Sequence, residues 1–237
     1  MQKKGIIKKT LLEEFSRPRQ NGVNAITIVG GDELLQVQMT NGNNDVMMAV
    51  KSGRAIRFPE GKVRPTGRGA IGVQGIDVED GTDEVIGMIC VNKEDTSKTI
   101  LVVSEKGYGK RTPLVSEGED VYRITNRGGK GVRTINVTEK TGKLVGILNV
   151  SEKEDLIITC KSGITLRTPV VSIKEAGRNT QGVILIRLDE GDEIAAISTI
   201  EEEEVIESEI ANAITEGASP DTIQDAPEAD ATDLIIE

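Results

Sequence analysis

GRAIRFPEGKVRPTGRGAIGVQGI, residues 53–76, decides the fold, because it holds two phrases that return along the chain. The first phrase is a glycine followed four residues later by a cation: Gly5 and Lys9, Gly53 and Arg57, Gly107 and Arg111, Gly163 and Arg167. The second reads Gly-Val-x-x-Ile and starts at Gly22, Gly72, Gly131 and Gly182. The leading glycines are 48, 54 and 56 residues apart. A period in that range is the mark of blades in a propeller-like or solenoid array. A cation at one phase of every blade predicts a charged rim that meets an extended anionic ligand.

Working outward, an apolar run precedes each of the last three leading glycines: VMMAV (46–50), TILVVS (99–104) and LIITC (156–160). After each second phrase a turn opens onto another run: GGDELLQV (30–37), GTDEVIGMICV (81–91), TGKLVGILNV (141–150) and EGDEIAAISTI (190–200). Gly-Asp and Gly-Thr-Asp are hairpin signals, and runs rich in Val and Ile fit strands. Long helical periodicity is absent before residue 200. The prediction is an all-β, propeller-like array of about four four-stranded antiparallel blades, roughly residues 1–40, 41–97, 98–151 and 152–200. In the first blade Lys3 and Lys4 stand where the others have an apolar strand. The missing strand leaves an open edge, so the chain is expected to begin inside a larger architecture, with Met1 not its natural start.

The charge is split. The chain has 29 Lys and Arg against 39 Asp and Glu, but residues 201–237 hold 13 of the acids and no cation. A mildly basic body therefore carries an acidic tail, read as disordered apart from a short helix weighed for EEEEVIESEIANAI. Its role is open between a solubilising tail and one that competes with an anionic ligand; in the second case deleting residues 201–237 tightens binding at low salt. Two scattered cysteines, Cys90 and Cys160, make no disulfide framework and read as reduced core residues. No stretch approaches the ~20 apolar residues of a membrane helix and MQKKGIIKKT is no signal sequence, so the expected location is cytoplasmic.

Several chemistries are excluded. There is no His, so no Cys/His metal centre and no His-based nucleophile–base pair. The acid pairs Asp32-Glu33, Asp83-Glu84 and Asp192-Glu193 recur at one turn, which marks hairpin building rather than a catalytic dyad. Gly129-Lys130 and Gly109-Lys110 are not followed by Ser or Thr, so neither is a nucleotide-binding loop.

EEFSRPRQNGVNAI (13–26), GRAIRFPEGKVRPTGRGAIGVQGI (53–76), GYGKRTPL (107–114), NRGGKGVRTINVTEKTGKLVG (126–146) and GRNTQGVILIRLDEGDEIAA (177–196) strongly resemble consecutive blades of the C-terminal domain of the DNA gyrase A subunit. The resemblance covers about residues 3–200. It implies a six-bladed β-pinwheel in which neighbouring blades exchange strands, of which these repeats look like the last four. It implies a nucleoid-associated partner of duplex DNA that bends it around the rim, within a type IIA topoisomerase that introduces negative supercoils. ATP hydrolysis then belongs to the gyrase B subunit within an A2B2 complex, and Mg²⁺ to parts of that complex outside this chain. The chain takes no cofactor or small-molecule substrate of its own. The family's box, which resembles Gln-Arg-Arg-Gly-Gly-Lys-Gly, belongs to its first blade. Here Thr125-Asn126-Arg127-Gly128-Gly129-Lys130-Gly131 in the third repeat is a related loop with its first two positions changed. The family nucleophile, a tyrosine preceded by a basic residue in another domain, is matched by neither Tyr108 nor Tyr122. The topoisomerase IV A subunit is the runner-up within the family.

The cations expected on DNA follow from the repeat. Lys9, Arg57, Arg111 and Arg167 share one phase, with Lys8, Arg54 and Lys110 beside them. Arg68, Arg127 and Arg178 each stand four residues before a second-phrase glycine, a part taken by Arg17 and Arg19 in the first blade. Lys130 joins them in Arg-Gly-Gly-Lys-Gly, which reads either as an anion nest or as a flexible loop between blades. Such a set would meet successive phosphates, release counterions and hold a duplex bent. The alternative is that each repeated cation pairs with an acidic neighbour in its blade and holds the fold. A third reading, from a different class, is a propeller-type protein-interaction module, which calls for exposed aromatic or apolar anchors; the chain has four aromatics in all.

Overall fold

Strands form where the apolar runs lie, and glycines turn the chain between them. In the computed structural model, residues 1–78, 82–92, 95 and 97–201 are described, so the tail and the helix weighed at its start lie outside the described residues. The first repeat contributes β1 (Ile6–Ile7). The second contributes β2 (Asn44–Val50), β3 (Arg54–Pro59), β4 (Val73–Gln74) and β5 (Val85–Asn92). The third contributes β6 (Thr99–Ser104), β7 (Tyr108–Pro113), β8 (Val115–Ser116), β9 (Glu119–Asp120), β10 (Val132–Arg133) and β11 (Leu144–Val150). The fourth contributes β12 (Asp155–Cys160), β13 (Thr165–Pro169), β14 (Val183–Ile184) and β15 (Ile194–Ile200). Three short 3₁₀ turns complete the set, and no α-helix is present among the described residues.

The pairing crosses repeat boundaries. Each Gly-Val-x-x-Ile phrase of the last three repeats adds a two-residue strand to the sheet of the repeat before it. β4 pairs with β1, β10 with β3, and β14 with β7, all antiparallel. The sheets run β10-β3-β2-β5 and β11-β6-β7-β14, whereas the last, β13-β12-β15, has three strands. The expected strand over residues 30–37 does not form. Gln2 bridges to Leu34, and Leu35 donates its amide to the carbonyl of Met1. Leu34 and Leu35 thus meet Gln2 and Met1 at the place where β5, β11 and β15 pair with a full strand. The hairpin β8–β9 is an insertion peculiar to the third repeat.

The core explains why the central strands read as continuous apolar runs. Successive side chains on a strand face opposite sides, and both sides of the two middle sheets are covered. Met47 and Ala49 of β2 pack in one cluster with Ile100 and Val102 of β6. Val46, Met48 and Val50 face the other way, onto Ile7, Ile56, Phe58 and Ile76. Leu101 and Val103 of β6 pack with Leu156, Ile158 and Ile194 of the fourth repeat. In β12 the alternation reappears, with Leu156, Ile158 and Cys160 buried and Ile157 and Thr159 half-buried. Cys90 and Cys160 are both free thiols, and burial pushes the Cys90 thiol up to about 11.

The recurring acid pairs are turn elements, as their recurrence predicts. Asp32, Asp83 and Asp192 each accept the amide of the following Glu and a second amide, from Lys4, Ser52 and Ser162 respectively. The following Glu pairs with a lysine across the hairpin: Lys3–Glu33, Lys51–Glu84 and Lys161–Glu193. The third repeat reverses the charges, with the amide of Glu105 donating to the carbonyl of Lys143 at that place.

Candidate nucleic-acid interface

The cation of the first phrase sits where one repeat meets the next. Its backbone bridges in parallel to the following repeat: Lys9 to Pro65, Arg57 to Ile124 and Arg111 to Glu175. The amides of Thr66, Thr125 and Ala176 close each bridge at 2.9 Å.

The side chains fold into the same joint. Arg57 donates from Nε to Asp45 at 2.9 Å, and from Nη1 to Asp120 at 3.0 Å and to the Tyr122 carbonyl at 3.2 Å. Arg111 donates from Nε to the Ile173 carbonyl at 2.8 Å, from Nη1 to Glu152 at 3.0 Å and from Nη2 to the Val171 carbonyl at 3.3 Å. Lys110 is fully buried, and its Nζ donates to the carbonyls of Gly177 and Arg178 and to Thr180 Oγ1. Burial, with the Arg178 charge adding to it, pushes the Lys110 ammonium down to about 8.

These placements correct the expectation that Arg57, Arg111 and Lys110 face a phosphate rail. A buried charge is tolerated when it is paired and hydrogen-bonded. In Arg57 and Arg111 carboxylates and carbonyls of the chain supply that pairing, which is the alternative weighed for the repeated cation. In Lys110 three oxygens supply the hydrogen bonds.

The rest of the predicted set is more open. Arg17, Arg19, Arg54, Arg127, Lys130 and Arg167 are exposed or half-exposed, and Lys8, Lys9, Arg68 and Arg178 are half-buried. Arg167 repeats the Arg57 contact in solvent, with Nε 2.6 Å from Asp155. Lys9 lies 3.6 Å from Glu60 and donates to its carbonyl. Lys8 donates to the carbonyls of Ala25 and Arg68, the place that Lys110 takes at the next-but-one junction. Burial pushes the Lys8 ammonium below its ordinary value, Glu14 opposing and Arg68 assisting.

The arginine four residues before the second glycine is rooted in the same way at two junctions. Arg127 donates from Nη1 to the Gln74 carbonyl of β4 at 3.0 Å, and Arg178 to the Arg133 carbonyl of β10 at 3.2 Å. Arg127 also donates from Nε to the Lys62 carbonyl. Arg178 stands over the Tyr122 ring at 5.9 Å. A guanidinium has five N–H groups, so this rooting orients each fork while most of its donors stay uncommitted. In the Arg-Gly-Gly-Lys-Gly loop the Gly128 amide donates to the Gly75 carbonyl at 2.6 Å, so it is not offered to an anion.

A further ladder escaped the sequence reading. Arg64, Arg123 and Lys174 each stand eight residues before a second-phrase glycine, and all three are exposed. Aligning the repeats on that glycine, instead of on the first, reveals them. Arg123 and Lys174 each follow the residue, Tyr122 or Ile173, whose carbonyl is held by a buried arginine. The buried ladder thus fixes the backbone that carries the exposed one.

Exposed cations concentrate where the second repeat meets the third: Arg54, Arg123, Arg127, Lys130 and Arg133. Arg54 and Arg133 are directly opposite in the β3–β10 register. Like charges in that relation are destabilising, and a bound anion would relieve them. Among the described residues no group of three or more carboxylates, His or Cys is placed to hold a metal ion, and no helix is long and apolar enough to cross a membrane.

The signature of the family described as "DNA gyrase C-terminal domain, beta-propeller" matches residues 3–41, 44–92, 98–151 and 154–201. The DNA gyrase A subunit of Staphylococcus aureus strain MRSA252 is 40% identical over 207 residues, which are 87% of this chain and 23% of that protein. Its counterpart in strain NCTC 8325 is 38% identical over 201 residues, 85% of this chain and 22% of its own length. The chain therefore spans less than a quarter of these relatives. Among solved structures, a DNA gyrase A C-terminal domain superposes with a TM-score of 0.71 at 27% identity, over 84% of this chain and 64% of that one. The C-terminal domain of a DNA topoisomerase IV superposes at 0.78 with 19% identity, over 92% of this chain and 66% of that one, which is a likeness of fold.

Proposed function

This chain belongs to the DNA gyrase C-terminal domain, beta-propeller, family, and from that premise we propose that it binds duplex DNA by its phosphates and holds it bent. The observation that carries the reading is the exposed cation ladder on the junction loops. Arg64, Arg123 and Lys174 recur at one phase, with Arg68, Arg127 and Arg178 four residues further on. Phosphates recur along a duplex, so a recurring cation meets them in succession. Phosphate contacts carry no base information, and the reading is of binding without sequence preference. Bending tens of base pairs costs about 1–6 kcal/mol by elastic estimates, which several such contacts offset.

In this reading the chain supplies the wrapping surface of the gyrase A protein, in the cytoplasm and on the nucleoid. Strand cleavage takes place elsewhere in an A2B2 complex, the gyrase B protein hydrolyses ATP, and no cofactor binds here. Membership of topoisomerase IV is the second reading, favoured by the fold likeness alone.

The test is duplex binding by the chain over a range of salt, together with end-to-end distance in a doubly labelled duplex. If about six phosphates are engaged, log affinity falls against log salt with a slope near −5, and the labelled ends approach. A flat salt dependence or an unbent duplex would refute the reading, and a flat dependence would point instead to a protein-interaction module.

A further inference from the structure

The third repeat carries the hairpin β8–β9 where its two neighbours carry a single 3₁₀ turn. Pro59 and Val63 are four positions apart, as are Pro169 and Ile173, whereas their counterparts Pro113 and Tyr122 are nine apart. The extra residues bring Glu117, Glu119 and Asp120 to the surface. The second repeat's turn holds one acid, Glu60, which is buried and accepts from Thr40 and Asn44. The fourth repeat's turn, Val170–Ser172, holds none.

The hairpin is anchored at its base and charged at its tip. Leu114 and Tyr122 are core residues, and the Val121 amide donates to the Leu114 carbonyl at 2.9 Å. Asp120 accepts from Arg57 at 3.0 Å, so its charge is offset. No described cation pairs with Glu117 or Glu119. Glu117 has φ +54° and is the only non-glycine residue in the left-handed region among the described residues. With Gly118 at φ +82° it forms a two-residue turn whose first place is favoured by Asn, Asp or Gly. A carboxylate on a longer arm thus stands at the tip against the preference of the backbone.

That acidic tip borders a cation of the next repeat. Ser116, Glu119 and Asp120 form one wall of a groove of about 520 Å³, and Arg178, Asn179 and Thr180 form the other. Arg127, the counterpart of Arg178 one junction earlier, meets the Lys62 carbonyl of a 3₁₀ turn in place of such a wall. We propose that the β8–β9 hairpin is an electrostatic spur that weakens the hold of Arg178 on duplex DNA. A phosphate at Arg178 lies within a Debye length of Glu119, roughly 8–10 Å, and the two repel. The wrap is then tight where Arg127 and Lys130 stand and loose where the third repeat meets the fourth. This role rests on the phosphate-binding reading given above.

Duplex binding by the full chain tests the spur in three forms: the wild type, Glu117→Gln with Glu119→Gln, and Asp189→Asn with Glu190→Gln. The last pair removes the same charge from the exposed turn before β15. Glutamine keeps the size of the side chain, and Asp120 stays in place because it braces Arg57. Neutralising the spur should tighten binding about fivefold at low salt, the scale of two unit charges roughly 8 Å from a phosphate in water. The gain should vanish at high salt, stay below about twofold in the control pair, and be abolished by adding Arg178→Ala, as coupled neighbours require. Salt-sensitive binding that the spur variant leaves unchanged overturns the proposal and leaves the DNA reading standing. So does a gain that the control pair matches or that survives Arg178→Ala. An absence of salt-sensitive binding in every form overturns both.

Discussion

Arg57 Nε lies 2.9 Å from Asp45 Oδ2, across neighbouring strands, with both side chains at most 4% exposed. The same pair, Arg167 and Asp155, stands in the fourth repeat at 2.6 Å but half in solvent. One motif position therefore serves two energetic regimes. Removing one partner of a buried pair leaves the other charge uncompensated, at about 3–5 kcal/mol. An exposed pair is worth about 0–1 kcal/mol. Arg57→Ala should accordingly destabilise far more than Arg167→Ala in urea denaturation. Equal losses in the two variants would mean that Arg57 is not held as a buried strut.

The glycines make a parallel comparison. Gly53 and Gly163 both have positive φ, so alanine at either costs about 1–2 kcal/mol of left-handed strain. At Gly53 the new methyl also meets the Ile135 carbonyl and the Val137 side chain, whereas at Gly163 it meets open space. Gly53→Ala should lower Tm clearly more than Gly163→Ala in dilute solution. A matching drop would remove the argument that strand seating demands the glycine.

The repeat, the blade class and the turn role of the acid pairs were legible in the sequence because each depends on local chemistry that recurs. Periodicity also located the cations but not their solvent exposure. Arg57 and Arg167 occupy one motif position, and only the covering of Arg57 by Asp120 and Tyr122 from the third repeat separates them. That is long-range packing, which a motif does not encode. The Arg64, Arg123 and Lys174 ladder was legible in principle, since it appears once the repeats are aligned on the second glycine. Over residues 30–37 the apolar residues are present without a strand: they meet Met1 and Gln2 through one bridge and the Leu35 amide, and a strand depends on a paired partner that the run itself does not encode.

Separating the two ladders gives the residue-level test of DNA binding. Arg64→Ala, Arg123→Ala and Lys174→Ala change exposed side chains, so each should leave stability within about 0.5 kcal/mol. Each should lower the magnitude of the salt slope by about 0.9, the yield of one phosphate contact. Arg111→Ala, by contrast, should cost stability first. Affinity would then fall only as far as the segment carrying Lys174 loosens, because Arg111 holds the carbonyls of Ile173 and Val171. A salt slope unchanged in all three exposed variants would place the DNA elsewhere on the surface.

Lys110 sets a pH dependence whose sign is fixed by its burial. Burial first, and the Arg178 charge second, bring its ammonium down to about 8 from an ordinary 10.5. The unfolded chain holds that proton up to the ordinary value, so between about pH 8 and 10.5 the unfolded state binds more protons than the folded one. Stability therefore rises with pH across that window, and the destabilisation is fully present below its lower edge, where the buried amine must carry charge. Lys110→Met keeps the length of the side chain and removes the titration. The wild-type Tm minus the Lys110→Met Tm should increase from about pH 7.5 to about pH 9.5, other lysines cancelling in the difference. A difference that stays level or declines over that range would show that the Lys110 ammonium is solvated, and that the Gly177, Arg178 and Thr180 oxygens do not enclose it.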